Sequence, residues 1–535
     1  MFANDFSASG DKFGLARIKN NNWIVKGSTS LAISKVALSE LNKGYLEYLF
    51  RKYFYENRND RFFGEIPFYE EGSIDKYSAF HTILVAIGAS HALRPHNRTF
   101  YFDPMYASFK PIYYDGNSIV TRMTRPNRRF MYFGDKVNRD EFMGSSYALE
   151  AIKKIDRKNF YSRLVKLGLS YNLEEVNLIL DTVSANIRSM IDPSNINLQH
   201  KDKYVAYFST DMNLKQNAGN KKLVFSTNNN SFIEVCDLLL LSCANKKITI
   251  IDYASLLEGR YIDESQNSYI FIGNKKEYIT GTRINKPKNI QEIELGNGSH
   301  LIVYGSSDVV VNETERSILL TQKHLDDRIL FKNGLLNDWS IVFNGIIGDN
   351  SPKQRFNENL ITGCLTFVDM KINNVNIEIN NAFCEDGVNL VRVEGNVNNI
   401  NVNNAKSDAI DIDFSKLQLN QITVNNAGND CIDFSFGDYQ INSSFLANCK
   451  EKAISVGEKS KLSIDSVIIK NSITGIASKD SSIVYVSDVE AEKILTCFSA
   501  FNKKQEFWGG KISVKNHNCQ PNQIFQEIGS LVELI

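Results

Sequence analysis

Three aspartates carry the first candidate chemistry. Asp411, Asp413 and Asp433 stand in two like segments, DAIDID from Asp408 and DCIDFS from Asp430. In each, the third and fifth residues are large and apolar: Ile410 and Ile412, then Ile432 and Phe434. Alternation of period two marks a strand with one face inward, so the second, fourth and sixth residues point outward. Asp411 and Asp433, 22 residues apart, become stacked neighbours about 4.8 Å apart, while Asp411 and Asp413 lie about 6–7 Å apart along one strand. The strip continues through Ser455 and Lys479, with Glu458, Lys459 and Asp480 at its turn edge. Three adjacent carboxylates repel, so one protonates readily or a cation sits among them. An acid/base pair for a glycosidic bond fits, with Lys459 and Lys479 alongside; so does a calcium site of hard oxygen ligands on Asp411, Asp413 and Asp433. A solvated acidic ladder is the bland alternative. Asp386, Asp408 and Asp430, at the strand entrances, read as turn formers bonding their own turn.

The element that positions the strip is a repeat. Segments beginning at Asp386, Asp408, Asp430, Lys452, Thr474 and Thr496 are each 22 residues from the next, the mark of a solenoid. Two or three short strands per 22-residue turn describe one coil of a parallel β-helix. IQEIEL, HLIVYG, DVVVN, SILLTQ, DRILFK and WSIVFNG, upstream, read as earlier, less regular coils. Asn404, Asn426 and Asn448 recur at the same spacing and are expected to hydrogen-bond up the stack at tight corners.

Before the repeat the chain changes character. Residues 29–191 read as α-rich, with helical spacing from Leu31 to Phe50 and over 141–155, 159–167 and 173–191. RTFYFDPMYASFKPIYYDGN (98–117) reads as a β-hairpin. The polar stretch 195–203 looks like a boundary, VCDLLLLSCANKK a short helix and SYIFIG a strand. The expected division is an α-rich domain over 1–195, a mixed segment over 196–289, the β-helix over 290–520 and a cap over 521–535.

The whole-chain balance excludes some partners. Lys+Arg and Asp+Glu are both 61, for a formal charge of +0, so nothing global favours nucleic acid or an anionic membrane. No apolar run approaches the ~18 residues of a spanning helix. MFANDFSASGDKFG lacks the basic and apolar regions of a signal peptide; the protein is then cytoplasmic or this chain begins inside a longer one. The eight cysteines are too scattered for a disulfide scaffold. Cys497 and Cys519 would stack at a separation suiting a disulfide, although the preferred reading is small apolar packing.

DAID and DCID resemble motifs of pectinase-like right-handed β-helix proteins, which implies lyase, hydrolase or epimerase chemistry on an acidic outer face. The ordered run ITGCLTF, CEDGVN, SDAIDIDFS, NDCIDFS, ISVGEKS, GIASKDSS and KKQEF resembles bacterial β-helix-repeat proteins that carry a CotH-kinase-like region before the helix. HALRPHNRTFYFDPMYASFKPIYYDGN (91–117) is similar to the catalytic segment of CotH-type kinases. That resemblance implies a kinase C-lobe-like domain in which Asn97 and Asp115 bind Mg²⁺ around ATP phosphates, with Lys110 on the intervening hairpin. The catalytic Asp is missing: His91 and Ala92 occupy its place, leaving His91 or His96 as nearby bases. No nucleotide-binding lobe is visible before Thr29. The expectation is thus an α+β multidomain protein, extracellular or at the cell surface, that binds and modifies polysaccharide along the acidic strip. The rivals are a CotH-like kinase or pseudokinase docked through its β-helix, and a purely adhesive solenoid.

Overall fold

The structure, a computed structural model, describes residues 2–5, 15–19, 21–24, 26–54, 73–93, 97, 99–105, 108–122, 139–166, 168, 170–191, 221–227, 231–237, 242–261, 268–274, 290–348 and 355–535. The boundary expected at 195–203 and His96 lie outside them. The chain forms two compact units, Met1–Ile284 and Asn285–Ile535.

Among the described residues, the first unit combines helices with two four-stranded sheets. Its main helices are Ser28–Phe54, Ser73–Ala86, Arg139–Lys153, Arg157–Lys166 and Leu173–Ile191. Glu174 and Glu175 lie in the first turn of the last and Arg188 in its final turn, charges that complement the helix dipole. The expected hairpin is Thr99–Asp103 paired antiparallel with Ser108–Ile112, extended by Phe2–Asp5 and Leu15–Ile18. VCDLLLLSCANKK is not a helix where it is described. Phe232–Asp237 and Cys243–Lys247 are antiparallel strands, and Cys236 faces Cys243 in a disulfide. A short apolar run carries no period that separates the two states, and the cross-strand bond selects the hairpin. Asn42, buried in the long first helix, accepts a hydrogen bond from Ala16 N at 2.9 Å and donates to the Phe271 carbonyl at 2.8 Å. It thereby joins strands far apart in sequence.

The second unit is a parallel β-solenoid of about 10 turns. Its beginning differs from the expected run of coils. Ile290–Glu294 pairs antiparallel with His300–Tyr304, and Asp308–Asn312 with Ser317–Thr321. Positive φ at Gly296, Asn297, Gly298 and Arg316 reverses the chain tightly enough for hairpins, which blunt the end of the stack. Parallel pairing begins where Ser317–Thr321 meets Ser340–Asn344.

From Asp386 the 22-residue step is literal: Val388 aligns with Ile410, then Ile432, Ile454, Ile476 and Phe498, all fully buried. Each such side chain contributes about 1.5–3 kcal/mol by leaving water. The corner ladder is present and longer than expected. Asn404 donates to Asn381, Asn426 to Asn404, Asn448 to Asn426 and Asn471 to Asn448, at 2.9–3.1 Å. All five residues have φ between 55° and 68°, the left-handed region that Asn tolerates. The cysteines correct the expectation of unpaired packing. All eight are bonded, as Cys236–Cys243, Cys364–Cys384, Cys431–Cys449 and Cys497–Cys519. The last three tie the start of a coil to the corner that ends it, where stacking brings Cα atoms to 5.3–6.1 Å.

Candidate functional site

Strand alternation turns two columns of side chains out of the first face of the solenoid. Asn389, Asp411, Asp433, Ser455 and Ala477 form one column; Val391, Asp413, Ser435 and Gly457 form the next. The columns are not an open, solvated ladder. Asp411, Asp413 and Asp433 are half-buried, Lys479 is buried and Ser455 is fully buried. Lys479 Nζ donates to Ser455 Oγ at 2.8 Å and lies 3.7 Å from Asp433 Oδ1. Asn389 Nδ2 donates to Asp411 Oδ2 at 3.1 Å.

An inserted loop lies against this face. The register step from Ile483 to Lys511 is 28 residues instead of 22, and residues 502–508 occupy the excess. Buried Asp480 anchors it: Oδ1 accepts the backbone N–H groups of Lys503 and Lys504, each at 2.8 Å. Lys504 pairs with Glu458. Lys459 does not meet the carboxylates but sits 5.7 Å from the centroid of Phe507.

Crowding raises the carboxyls. Burial pushes Asp411 well above the usual range, and Asp386, Asp413 and Asp433 add repulsion. Asp413 is pushed up to about 6 by burial and by Asp433, against Asn389, Lys504 and Arg392. Burial likewise raises Asp430 to about 7, against the pull of Lys452.

Asp408 and Asp430 of the entrance column bond onward to the next coil and not within their own turns. Asp408 Oδ1 accepts from Asp430 N at 2.9 Å and Asn429 Nδ2 at 2.7 Å; Asp430 Oδ1 accepts from Lys452 N at 3.0 Å. Among the described residues, oxygens close enough to share a cation belong to Glu385, Asp386 and Asp408; Asp411, Asp413 and Asp433 do not form such a set. A second grouping, Glu234 with Cys236 and Cys243, is disqualified because both sulfurs are in a disulfide.

Sequence reading missed an aromatic wall. Phe414 and Phe436, following the acidic strands, stack at 4.9 Å with ring planes 7° apart, and Phe507 meets Phe436 edge-on at 6.1 Å. Phe414 and Phe436 remain 54% and 42% exposed, and Trp508, which follows Phe507 in the chain, is 83% exposed. The signal was available, since Phe414 and Phe436 are 22 apart.

In the first unit, Asn97 and Asp115 meet through His91. His91 Nδ1 is 2.8 Å from both Asn97 Nδ2 and the Asp115 carbonyl oxygen, and 3.4 Å from Asp115 Oδ2. Lys110 instead pairs with Asp103 across the hairpin at 2.6 Å. No helix among the described residues is long and apolar enough to cross a membrane. No family model matches the chain, and no match was found among curated proteins or solved structures.

Proposed function

We propose that the solenoid face around Asp411, Asp413 and Asp433 binds a linear polysaccharide and acts on it by acid/base chemistry, in a protein of the cell envelope or exterior. One observation carries this reading: crowded carboxylates stand directly beside an exposed, stacked aromatic pair. Aromatic faces bury the apolar face of a sugar ring while polar groups fix its orientation, and regularly spaced coils suit a repeating ligand. Asp411 has the raised carboxyl that a general acid needs. It donates its proton to the departing glycosidic oxygen. Stacked on adjacent strands, the two carboxyls stand at the close spacing of a retaining pair. Asp433, ion-paired with Lys479, therefore attacks the anomeric carbon as the C–O bond breaks. A water that gives its proton back to Asp411 then hydrolyses the glycosyl ester and frees Asp433. Four disulfides favour an oxidising compartment, and parallel connections favour the right-handed sense.

The test is calorimetric titration with neutral and acidic linear polysaccharides, followed by assay of released reducing ends. Phe414→Ala/Phe436→Ala should weaken binding about tenfold or more, the loss of one or two ring contacts. Asp411→Asn/Asp433→Asn should abolish release and spare most binding. Absence of binding by the wild type, or binding indifferent to both double variants, removes the proposal.

A second reading rests on His91, which brings Asn97 and Asp115 together: a nucleotide site on a kinase-like lobe. It requires a Mg²⁺·ATP-dependent rise in melting temperature that Asp115→Ala loses.

A further inference from the structure

Among the described residues, the closest gathering of carboxylates is one step behind the outward strip. One oxygen each from Glu385, Asp386 and Asp408 lies within 4.8 Å of the other two. Calcium bonds oxygen at about 2.3–2.6 Å, so two ligands on opposite sides of one ion lie up to about 5 Å apart. The spacing therefore leaves room for an ion between them.

Asp386 supplies the second, independent observation. It is only 1% exposed, and neither of its oxygens has a hydrogen-bond partner of good geometry, the Thr362 side chain being the one donor that reaches toward it. Its counterparts in the column are satisfied by the next coil, Asp408 by Asp430 N and Asp430 by Lys452 N. At Asp386 the equivalent donor is diverted: Asp408 N donates to the Glu385 carbonyl at 3.0 Å. A buried carboxylate served by so little is costly, and a metal ion is one of the few partners that would offset the cost.

The charge points the same way. Arg355 pairs with Glu385 at 2.6 Å from a position 72% exposed. When ionised, the three carboxylates outnumber the two guanidiniums whose charge reaches them, Arg355 and Arg328. The donors are all oxygen, with no thiolate or imidazole, which selects a hard cation over zinc or copper.

We infer that Glu385, Asp386 and Asp408 bind a divalent hard cation, calcium by ligand chemistry, which joins the coil beginning at Asp386 to the one above it. This site is separate from the carbohydrate reading and needs no glycan for its test. The rival is a proton shared among the three carboxyls, which would leave the protein indifferent to calcium.

The experiment uses the full chain, stripped with chelator and titrated with CaCl₂ by calorimetry and by thermal melting at constant ionic strength. The expected result is saturable binding at or below about 1 mM, with a rise in melting temperature of about 3 °C or more at saturation. Asp386→Asn and Glu385→Gln should each lose both effects. Glu385→Gln, at the partly exposed end of the cluster, keeps the test decisive should Asp386→Asn fail to fold. Asp411→Asn/Asp433→Asn should keep both effects. No calcium response in folded wild type overturns the assignment, as does a response that survives Glu385→Gln or disappears only in the Asp411/Asp433 double variant.

Discussion

Asp413 should destabilise the protein near neutral pH, and replacing it by asparagine should raise stability there. Its carboxyl ordinarily titrates at 3.8 and in the fold at about 6, chiefly through burial and then through Asp433. Between those values the folded state holds a proton that the unfolded chain has released. Stability therefore falls as pH rises through this window and stays reduced above it. The difference corresponds to about 3 kcal/mol for the fully ionised group. Asp413 is half-buried, and solvent screening brings the expectation to about 1–2 kcal/mol. Asp413→Asn also removes a charge that repels Asp411, which acts in the same direction. The assay is thermal melting of wild type and variant from pH 3.5 to 8. The variant should melt about 2–6 °C higher at pH 7.5, and the curves should converge below pH 4. A variant less stable than wild type at pH 7.5, or a difference that does not change with pH, refutes the reasoning.

Two other perturbations test the frame around the site. Asn426→Ala breaks two rungs of the ladder and leaves at φ 68° a residue without the amide that eases the left-handed conformation. It should cost about 1–3 kcal/mol in urea unfolding, and Asn426→Gly, which relieves the backbone strain, should recover part of that. Asp480→Ala removes the acceptor of two N–H groups that anchor the 502–508 loop; limited trypsin digestion should then cut at Lys503 or Lys504 at least about tenfold faster, the factor that a loss of about 1.4 kcal/mol in local closure gives.

The solenoid was legible because identical spacing forces identical position. Val388, Ile410 and Ile432 are 22 apart, and that alone stacks them. The same logic covered Asn404 and Asn426, and it could have exposed Phe414 and Phe436. What escaped depends on contacts that no period encodes. The partial burial of the acidic strip comes with a loop whose anchor, Asp480, is 23 and 24 residues before its partners, off the coil register. The unpaired state of Asp386 turns on whether one N–H, that of Asp408, chooses a backbone or a side-chain acceptor. Cys236 and Cys243 illustrate the opposite difficulty: the run between them is apolar enough for either state, and a single covalent bond decides it.

Three of the disulfides have a mechanical consequence. Cys364–Cys384, Cys431–Cys449 and Cys497–Cys519 span 20, 18 and 22 residues, so each closes about one coil on itself instead of riveting one coil to the next. Under tension applied at the ends of the solenoid, coils can still peel apart one by one, but the chain inside each ring cannot pay out. Reduction would release about 200 Å of hidden contour length at ~3.4 Å per residue, delivered in three discrete steps. Strung this way, the solenoid behaves as a thread with three knots of fixed size, which limits how far it can be drawn out while its backbone remains intact.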